Sequence, residues 1–324
     1  MLYIALPNQQ PRQLSFYLAM EEYVAEWIDV EDCFFMWQVQ PSVIFGRNQL
    51  IETEVNLEYC QQNGIQTYRR KSGGGCVYAD MSNVMFSYIT KDKAVNFTFN
   101  KYINMVVLVL RKLGIDAKAT GRNDILIGNR KMSGNAFYHA WNKSIVHGTM
   151  LYDTNMQNMV GAITPSTTKL TSKGIQSVRQ RIALLKDYTD LTLDEFKQFV
   201  KQTLCDNELV LSKCAVSEIE EKEKEYLSEA FIYGKNPRYS TVKRAHIDQV
   251  GDIEIRLEMK NNVIKSMTIL GDFFIMGDID TAIIKPLHNV KLNKEQLTKA
   301  LPKQLDDVIM NLQRNDFIHL LLEG

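Results

Sequence analysis

The stretch GRNDILIGNRKMSGNAFY, Gly121 to Tyr138, decides how this chain folds. Gly128-Asn129 is a dipeptide suited to a tight turn, and the runs on either side suit two strands, so the stretch reads as a β-hairpin. Opposing Leu126 to Lys131 and Asp124 to Ser133 puts all four side chains on one face, because alternate and directly opposed residues share a face. Asp124 and Lys131 then become diagonal neighbours, and a one-residue slip would separate them.

Outward from the hairpin, strands are expected at Phe34 to Trp37, Ser42 to Phe45, twice between Val77 and Ile89, and at His147 to Tyr152. Apolar residues at helical spacing predict a first helix over Pro11 to Asp29, with Pro11 at the first helical position. Further helices are expected over Val55 to Asn63, closed by Gly64, and over Lys101 to Leu113, stopped by Gly114. Capping-box patterns at Thr192 to Glu195 and Ser217 to Glu220 mark two more helix starts. Between them and the strand at His147, the polar segment Thr164 to Arg181 is either a mobile loop or a solvated helix. A Gly, Asn and Pro cluster at Tyr233 to Ser240 breaks the pattern. Beyond it a hairpin is expected, Asp252 to Lys260 and Val263 to Ile269 around Asn261-Asn262, and then two or three helices. This places one domain at 1–245 and a small one at 246–324, together an α/β (α+β) chain.

The bulk composition narrows the function. With 324 residues, 45% of them hydrophobic, the chain can bury a sizeable core. Lys plus Arg and Asp plus Glu are 38 each, so no global field favours nucleic acid or an anionic membrane, and any basic site must be local. Cys33, Cys60, Cys76, Cys205 and Cys214 are odd in number and scattered, without metal-ligand spacing, as expected of reduced thiols in a cytoplasm. No signal-peptide pattern and no run near the ~18 apolar residues of a membrane span is present. The common phosphate-loop, dinucleotide, zinc-protease and serine-hydrolase motifs are missing too.

A local basic site does exist. In YRRKSGGGCVYAD, Tyr68 to Asp80, Arg69, Arg70 and Lys71 precede Gly73 to Gly75. Guanidinium groups offer charge-assisted hydrogen bonds, and side-chain-free backbone lets amides approach a phosphate or carboxylate. Lys131, ordinarily a solvent-facing strand residue, gains meaning beside Asp124 and Ser133-Gly134. A compact ammonium can contact phosphate and carbonyl oxygens and stabilise charge that develops in acyl transfer. Asp124 either orients it or holds a magnesium ion, and the sequence leaves both open. Cys76 reads as a small buried hydrophobe rather than a nucleophile, since no histidine lies close in sequence. His147 reads as a pocket residue.

Taken together, RRKSGGGCVYAD with Ser82-Asn83, GRNDILIGNRKMSGNAFY, HGTMLYD and KLTSKGIQSVRQRI, with Trp37 and PSVIFGRNQ upstream, make the chain resemble the lipoate-protein ligase A family. The resemblance implies a mixed β-sheet flanked by helices, related to biotin ligases and class II aminoacyl-tRNA synthetases, with a small C-terminal accessory domain. It implies ATP-dependent conversion of lipoate to lipoyl-AMP, with Mg2+, and transfer to a lysine of a lipoyl carrier. The carriers implied are 2-oxoacid dehydrogenase acyltransferase subunits, a glycine-cleavage H protein or an H-like protein, acted on by a monomer.

By the same resemblance, Arg70, Ser72, Gly73, Gly74, Gly75, Cys76, Val77, Tyr78, Asp80, Asn83, Asn123, Asp124, Lys131, Ser133, Gly134 and Ala136 surround the nucleotide and acyl-adenylate. Trp37, Val77, Lys131, His147 and Thr149 border the lipoyl group, Lys131 is catalytic, and Asp124 is the metal candidate. Where the family commonly has V-Y-H-D, this chain has Ala79 before Asp80, which removes a polar contact from the acyl pocket. Alternatives are an ATP-independent octanoyl or lipoyl transferase using a cysteine thioester, for which Gly148 to Arg181 offers no cysteine, and a non-catalytic carrier binder. Biotin ligation is disfavoured by the missing Gly-Arg-Gly-Arg loop. The Thr164 to Arg181 segment, with Lys169, Lys173 and Arg179, is expected to order over the adenylate.

Overall fold

The computed structural model describes the chain apart from residues 9, 11, 92–94, 121–122, 164–179, 235–238 and 324 and the side chains of 95–97. The helix start at Pro11, the ordering segment with Lys169, Lys173 and Arg179, and part of the break after Tyr233 therefore lie outside the described residues. Two units result. The first comprises Met1–Phe45, Ile51–Arg70 and Cys76–Ile232, and the second Gly46–Leu50, Lys71–Gly75 and Tyr233–Gly324.

In chain order the first unit contains β1 (Leu2–Ala5), α1 (Leu14–Trp27), β2 (Asp32–Trp37), β3 (Ser42–Phe45), α2 (Ile51–Glu54), α3 (Leu57–Gln62), β4 (Gln66–Arg69) and β5 (Val77–Ala79). It continues with β6 (Val84–Thr90), α4 (Val95–Lys112), β7 (Ala117–Ala119), β8 (Asp124–Ile127), β9 (Arg130–Ala140), β10 (Lys143–Met150) and α5 (Met156–Ala162). It closes with α6 (Leu193–Leu204), β11 (Asn207–Val210), α7 (Lys213–Leu227) and α8 (Glu229–Tyr233). An eight-stranded mixed sheet runs β11-β1-β2-β6-β10-β9-β8-β7, with β11, β1 and β2 parallel and β2 to β7 joined by antiparallel pairs. A smaller sheet, β4-β3-β5, stands beside it.

Alternation along the strands sends residues to both faces of the large sheet. Cys33, Phe35, Trp37, Met85, Ile89 and Ile145 join α1 and α7 in one buried core, together with Ile44, Tyr68 and Ala79 of the small sheet. On the other face Phe34 packs on Phe86 at 5.4 Å, Tyr88 on Tyr102 of α4 at 6.1 Å, and Phe86 on Phe196 of α6 at 6.4 Å. Each fully buried aromatic of this kind contributes about 2 kcal/mol from area alone. α6 begins with the expected capping box, Thr192 and Glu195 exchanging hydrogen bonds. The other expected start is displaced: α7 begins after Ser212, whose hydroxyl accepts from the Ala215 amide at 3.1 Å, and Ser217 lies inside the helix. The same four-residue pattern fits a helix interior, so on its own it does not fix a terminus.

The second unit carries an antiparallel sheet of β12 (Thr241–Ile247), β13 (Gly251–Lys260) and β14 (Val263–Gly271), followed by α9 (Lys294–Ala300) and α10 (Arg314–Glu323). Asn261 and Asn262 take φ of 53° and 58°, the left-handed pair a two-residue hairpin turn requires. Ile253, Ile255, Leu257, Ile264 and Ile269 supply its own core with Leu297, Phe317 and Leu321. The division expected at residue 246 falls within β12, whose pairing with β13 is continuous from Thr241 to Ile247.

Candidate active site

The β8–β9 hairpin forms with one irregularity. Leu126 opposes Lys131 as expected, but Ile125 opposes Ser133 and Asp124 opposes Gly134, leaving Met132 as an extra residue on β9. This is a β-bulge, and tertiary bonds explain it: Met132 O accepts from Leu151 N at 3.0 Å and Lys131 O from Ala183 N at 2.8 Å. The expected pairing of Asp124 with Ser133 is thereby corrected. Ser133 turns to the opposite face, where its hydroxyl donates to Asn135 Oδ1 at 3.2 Å, and Gly134 takes its place.

The substitution of position matters for Lys131. A Cβ at Gly134 would lie 2.8 Å from both Cε and Nζ of Lys131, so the lysine occupies the space that glycine leaves. Its ammonium meets Asp124 Oδ1 at 2.8 Å, with the lysine side chain 40% exposed and the aspartate 28%. The diagonal neighbours read from the hairpin are thus in contact, through a different register.

From this pair a row of side chains crosses the sheet. Asp124 opposes Gly134, Gly134 opposes Thr149, Thr149 opposes Met85, and Met85 opposes Trp37. Four strand spacings of about 4.8 Å make the row roughly 19 Å long. Ala136 and His147 oppose each other in the adjacent row on the same face. Val77 opposes Ile44 in the small sheet, on the side of Ala79. Exposure falls along the row, from 40% at the Lys131 side chain to 3% at Trp37. The sheet therefore offers a half-exposed cation at one end and an enclosed apolar end, suited to a carboxylic acid with a long tail.

The enclosed end contains a residue that the helical pattern hid. Glu21 of α1 is fully buried and accepts from Ser87 Oγ at 2.6 Å, with His147 Nδ1 2.9 Å from its other oxygen. Ser87 in turn accepts from Trp37 Nε1 at 2.9 Å. Two adjacent glutamates among the apolar residues of α1, Glu21 and Glu22, were the available sequence signal; helical spacing alone marks neither as buried.

Other expected residues sit differently. Arg70 is buried with Nη1 donating to Ile44 O at 3.0 Å; burial lowers its pKa to about 10, which leaves it charged at neutral pH. Arg69 donates to Ile232 O at 2.9 Å and lies over the Phe45 ring, so it ties α8 to the small sheet. Cys76 is pushed up to about 12 by burial and so is a thiol, not a thiolate, at neutral pH. Tyr78 points into the separate core around Val43 and Phe45, away from Val77.

Asp80 and Asn83 belong to the β5–β6 turn. Asp80 accepts from Ser82 N, Asn83 Nδ2 and Asn155 N at 3.0 to 3.2 Å, and Asn83 Oδ1 accepts from Tyr152 N at 3.1 Å. Ser72 to Gly75 fall in the second unit. There Gly74 N donates to Phe273 O at 3.0 Å, and a Cβ on Gly73 would come 2.4 Å from the same oxygen. In this structure these glycines serve close backbone packing, rather than presenting the Gly74 amide to a ligand as expected.

Asn123 places Asp124. Its carbonyl accepts from Asn135 N at 3.1 Å and Asn135 Nδ2 at 2.9 Å. Asn135 itself fits only because residue 148 is glycine, where a Cβ would lie 1.8 Å from Asn135 Oδ1 and 2.8 Å from Tyr102 Oη. Gly148→Ala is therefore expected to lower stability by about 2 kcal/mol in denaturant melts and to reduce activity, because displacing Asn135 releases Asn123 and Asp124. An unchanged midpoint would contradict this support.

Among the described residues no three His, Cys, Asp or Glu side chains gather as a metal site. A divalent cation fits here only in the way magnesium is commonly bound, by one or two carboxylates with waters and substrate phosphates. Asp124, with one oxygen on Lys131, is suited to that limited role.

Two family models match the chain: the lipoyl protein ligase A/B catalytic domain over residues 13–205 and the bacterial lipoate protein ligase C-terminus over 236–321. Lipoate-protein ligase LplJ of Bacillus subtilis is 33% identical, the match covering 98% of this chain and 99% of that protein. A solved lipoate-protein ligase A bound with ATP is 26% identical with a TM-score of 0.61, covering 72% of this chain and 98% of that one. A bipartite lipoate protein ligase from Thermoplasma acidophilum, solved in a study of it and its E2 lipoyl domain, is 27% identical with a TM-score of 0.64, covering 74% and 98%.

Proposed function

Because the chain belongs to the lipoate-protein ligase family, we propose that it uses ATP to activate free lipoate as lipoyl-AMP and transfers the lipoyl group to a carrier lysine. The observation that carries this reading is the Lys131–Asp124 pair over Gly134, at the exposed end of a row that closes on Trp37. In the first step a lipoate carboxylate oxygen attacks the α-phosphorus of ATP and pyrophosphate leaves. In the second, the carrier's lysine amine attacks the acyl carbonyl, AMP leaves, and an amide forms. Both steps gather negative charge on oxygen where phosphate meets carbonyl, and the Lys131 ammonium stabilises it.

Each neighbouring group has a part in this scheme. Asp124 holds the ammonium in place and is the carboxylate that would bind Mg2+, whose charge would offset that of the phosphates. Buried Arg70 contributes a fixed positive charge near Val77 and the acyl group. Thr149, Ala136, Val77, His147 and Trp37 enclose the tail, and Ala79 leaves more room there than a larger polar residue would. Catalysis belongs to the first unit, with the second as an accessory. The carriers are lipoyl domains of 2-oxoacid dehydrogenase acyltransferase subunits or a glycine-cleavage H or H-like protein. Five unpaired thiols support a reducing, cytoplasmic setting.

The transferase alternative needs a thiolate nucleophile, and Cys76 is a poor one because burial holds its proton. Incubation with a panel of unmodified carriers, supplied with either free lipoate or an acylated carrier, with and without ATP, separates the two by carrier mass. A lipoyl mass increase only when ATP is present supports the ligase; transfer from an acylated carrier without ATP overturns it.

A further inference from the structure

Tyr102 of α4 is fully buried, yet its Oη has no hydrogen-bond partner among the described residues. A buried hydroxyl left unpaired is costly, and phenylalanine would fill the same space without that cost. The ring cannot carry the hydroxyl elsewhere, because it stacks on Tyr88 at 6.1 Å and 26°. What the hydroxyl approaches is Asn135. On the α4 face of the large sheet Asn135 opposes Gly148, and Gly148 opposes Phe86. The point where a Cβ on Gly148 would stand is 1.8 Å from Asn135 Oδ1 and 2.8 Å from Tyr102 Oη, which brings those two oxygens within reach of one bridging water.

We propose that Tyr102 is a positioning residue for the Lys131–Asp124 pair: through one bound water its hydroxyl anchors Asn135, and Asn135 passes that anchor through the sheet to Asn123 and Asp124. Such a water accepts the Tyr102 proton and donates to Asn135 Oδ1, whose other donor, Ser133 Oγ, is a long 3.2 Å away. Beyond Asn135 the path is short. Asn135 and Asn123 share three hydrogen bonds of 2.9 to 3.2 Å, and Asp124 is the next residue, on the opposite face with Lys131. The β-ladder is a poor support here, because the bulge at Met132 interrupts the β8–β9 pairing beside Asp124 and the edge strand β7 is only three residues long. A tie to α4 supplies from the far face what the ladder lacks. That the anchored pair serves adenylation rests on the ligase reading; the anchor itself does not.

Tyr102→Phe removes the hydroxyl and nothing else. In lipoate-dependent pyrophosphate exchange into ATP, its kcat is expected to fall about fivefold through loosened geometry at Lys131, with KM for lipoate changed less than about twofold. A merely structural hydroxyl would leave the kcat of the folded protein intact. The melting temperature should drop by only about 2 °C. In an Asn135→Ser background the same substitution should alter neither kcat nor melting, because the group it acts through is gone. Unchanged kcat in Tyr102→Phe, or equal slowing in both backgrounds, overturns the proposal. If Asn135→Ser does not fold, the split between kcat and KM in Tyr102→Phe decides. An unsubstituted protein without exchange rejects the ligase reading instead, and the melting temperatures then judge the anchor: a cost of Tyr102→Phe that vanishes with Asn135→Ser supports it, and equal costs overturn it.

Discussion

Lys131→Ala is expected to slow lipoyl-AMP formation about 1000-fold, measured as lipoate-dependent pyrophosphate exchange into ATP, with the fold retained. The size follows from what the side chain does. Its ammonium lies 2.8 Å from Asp124 at the exposed end of the row, where a carboxylate and a phosphate would meet. Removing it leaves the developing charge to water and to whatever the nucleotide brings. Stability should change by only about 1 kcal/mol, because both partners of the pair are part-exposed. Loss of activity through unfolding would show as a collapsed melting transition and would contradict the assigned role, as would retained exchange.

Gly134→Ala is the second large effect, and it tests geometry rather than charge. An added Cβ would come 2.8 Å from both Cε and Nζ of Lys131, the far end of a flexible chain, so the lysine swings aside and the strand keeps its place. No bond in the ladder is lost, and the melting temperature should hold. The ammonium, however, moves by a fraction of its length away from Asp124, and displacement of about 1 Å at a reacting centre costs about 100-fold in rate. Normal kinetics in this variant would mean that Lys131 works from another position than the one over Gly134.

What could be read in the sequence was local. The Gly128-Asn129 turn fixed Leu126 opposite Lys131, and the Thr192 capping box marked the start of α6, because each depends on a few adjacent residues. The bulge at Met132 could not be read, since it is stabilised by Leu151 and Ala183, which return to β9 from elsewhere in the chain. For the same reason Ser133 was expected on the Lys131 face, where Gly134 stands instead. Glu21 was missed because its burial depends on His147, 126 residues away, and no helical period carries that information. The triple glycine was legible as backbone open to close approach, but the sequence suggested a ligand there and not the Phe273 carbonyl of the second unit, 199 residues away, that Gly74 meets. Motif order across the chain carried the family, while three-dimensional contacts showed which side chains meet.

On the proposed reading the acyl group is activated as a mixed anhydride with AMP, by charge from Lys131, and not on an enzyme thiol. Mixing the protein with lipoate and ATP labelled in the α-phosphate, without a carrier, and quenching in acid tests it most directly. The expected result is labelled lipoyl-AMP in an amount matching the protein, and a protein whose intact mass is unchanged. A protein heavier by one lipoyl group, with no labelled adenylate, would contradict it.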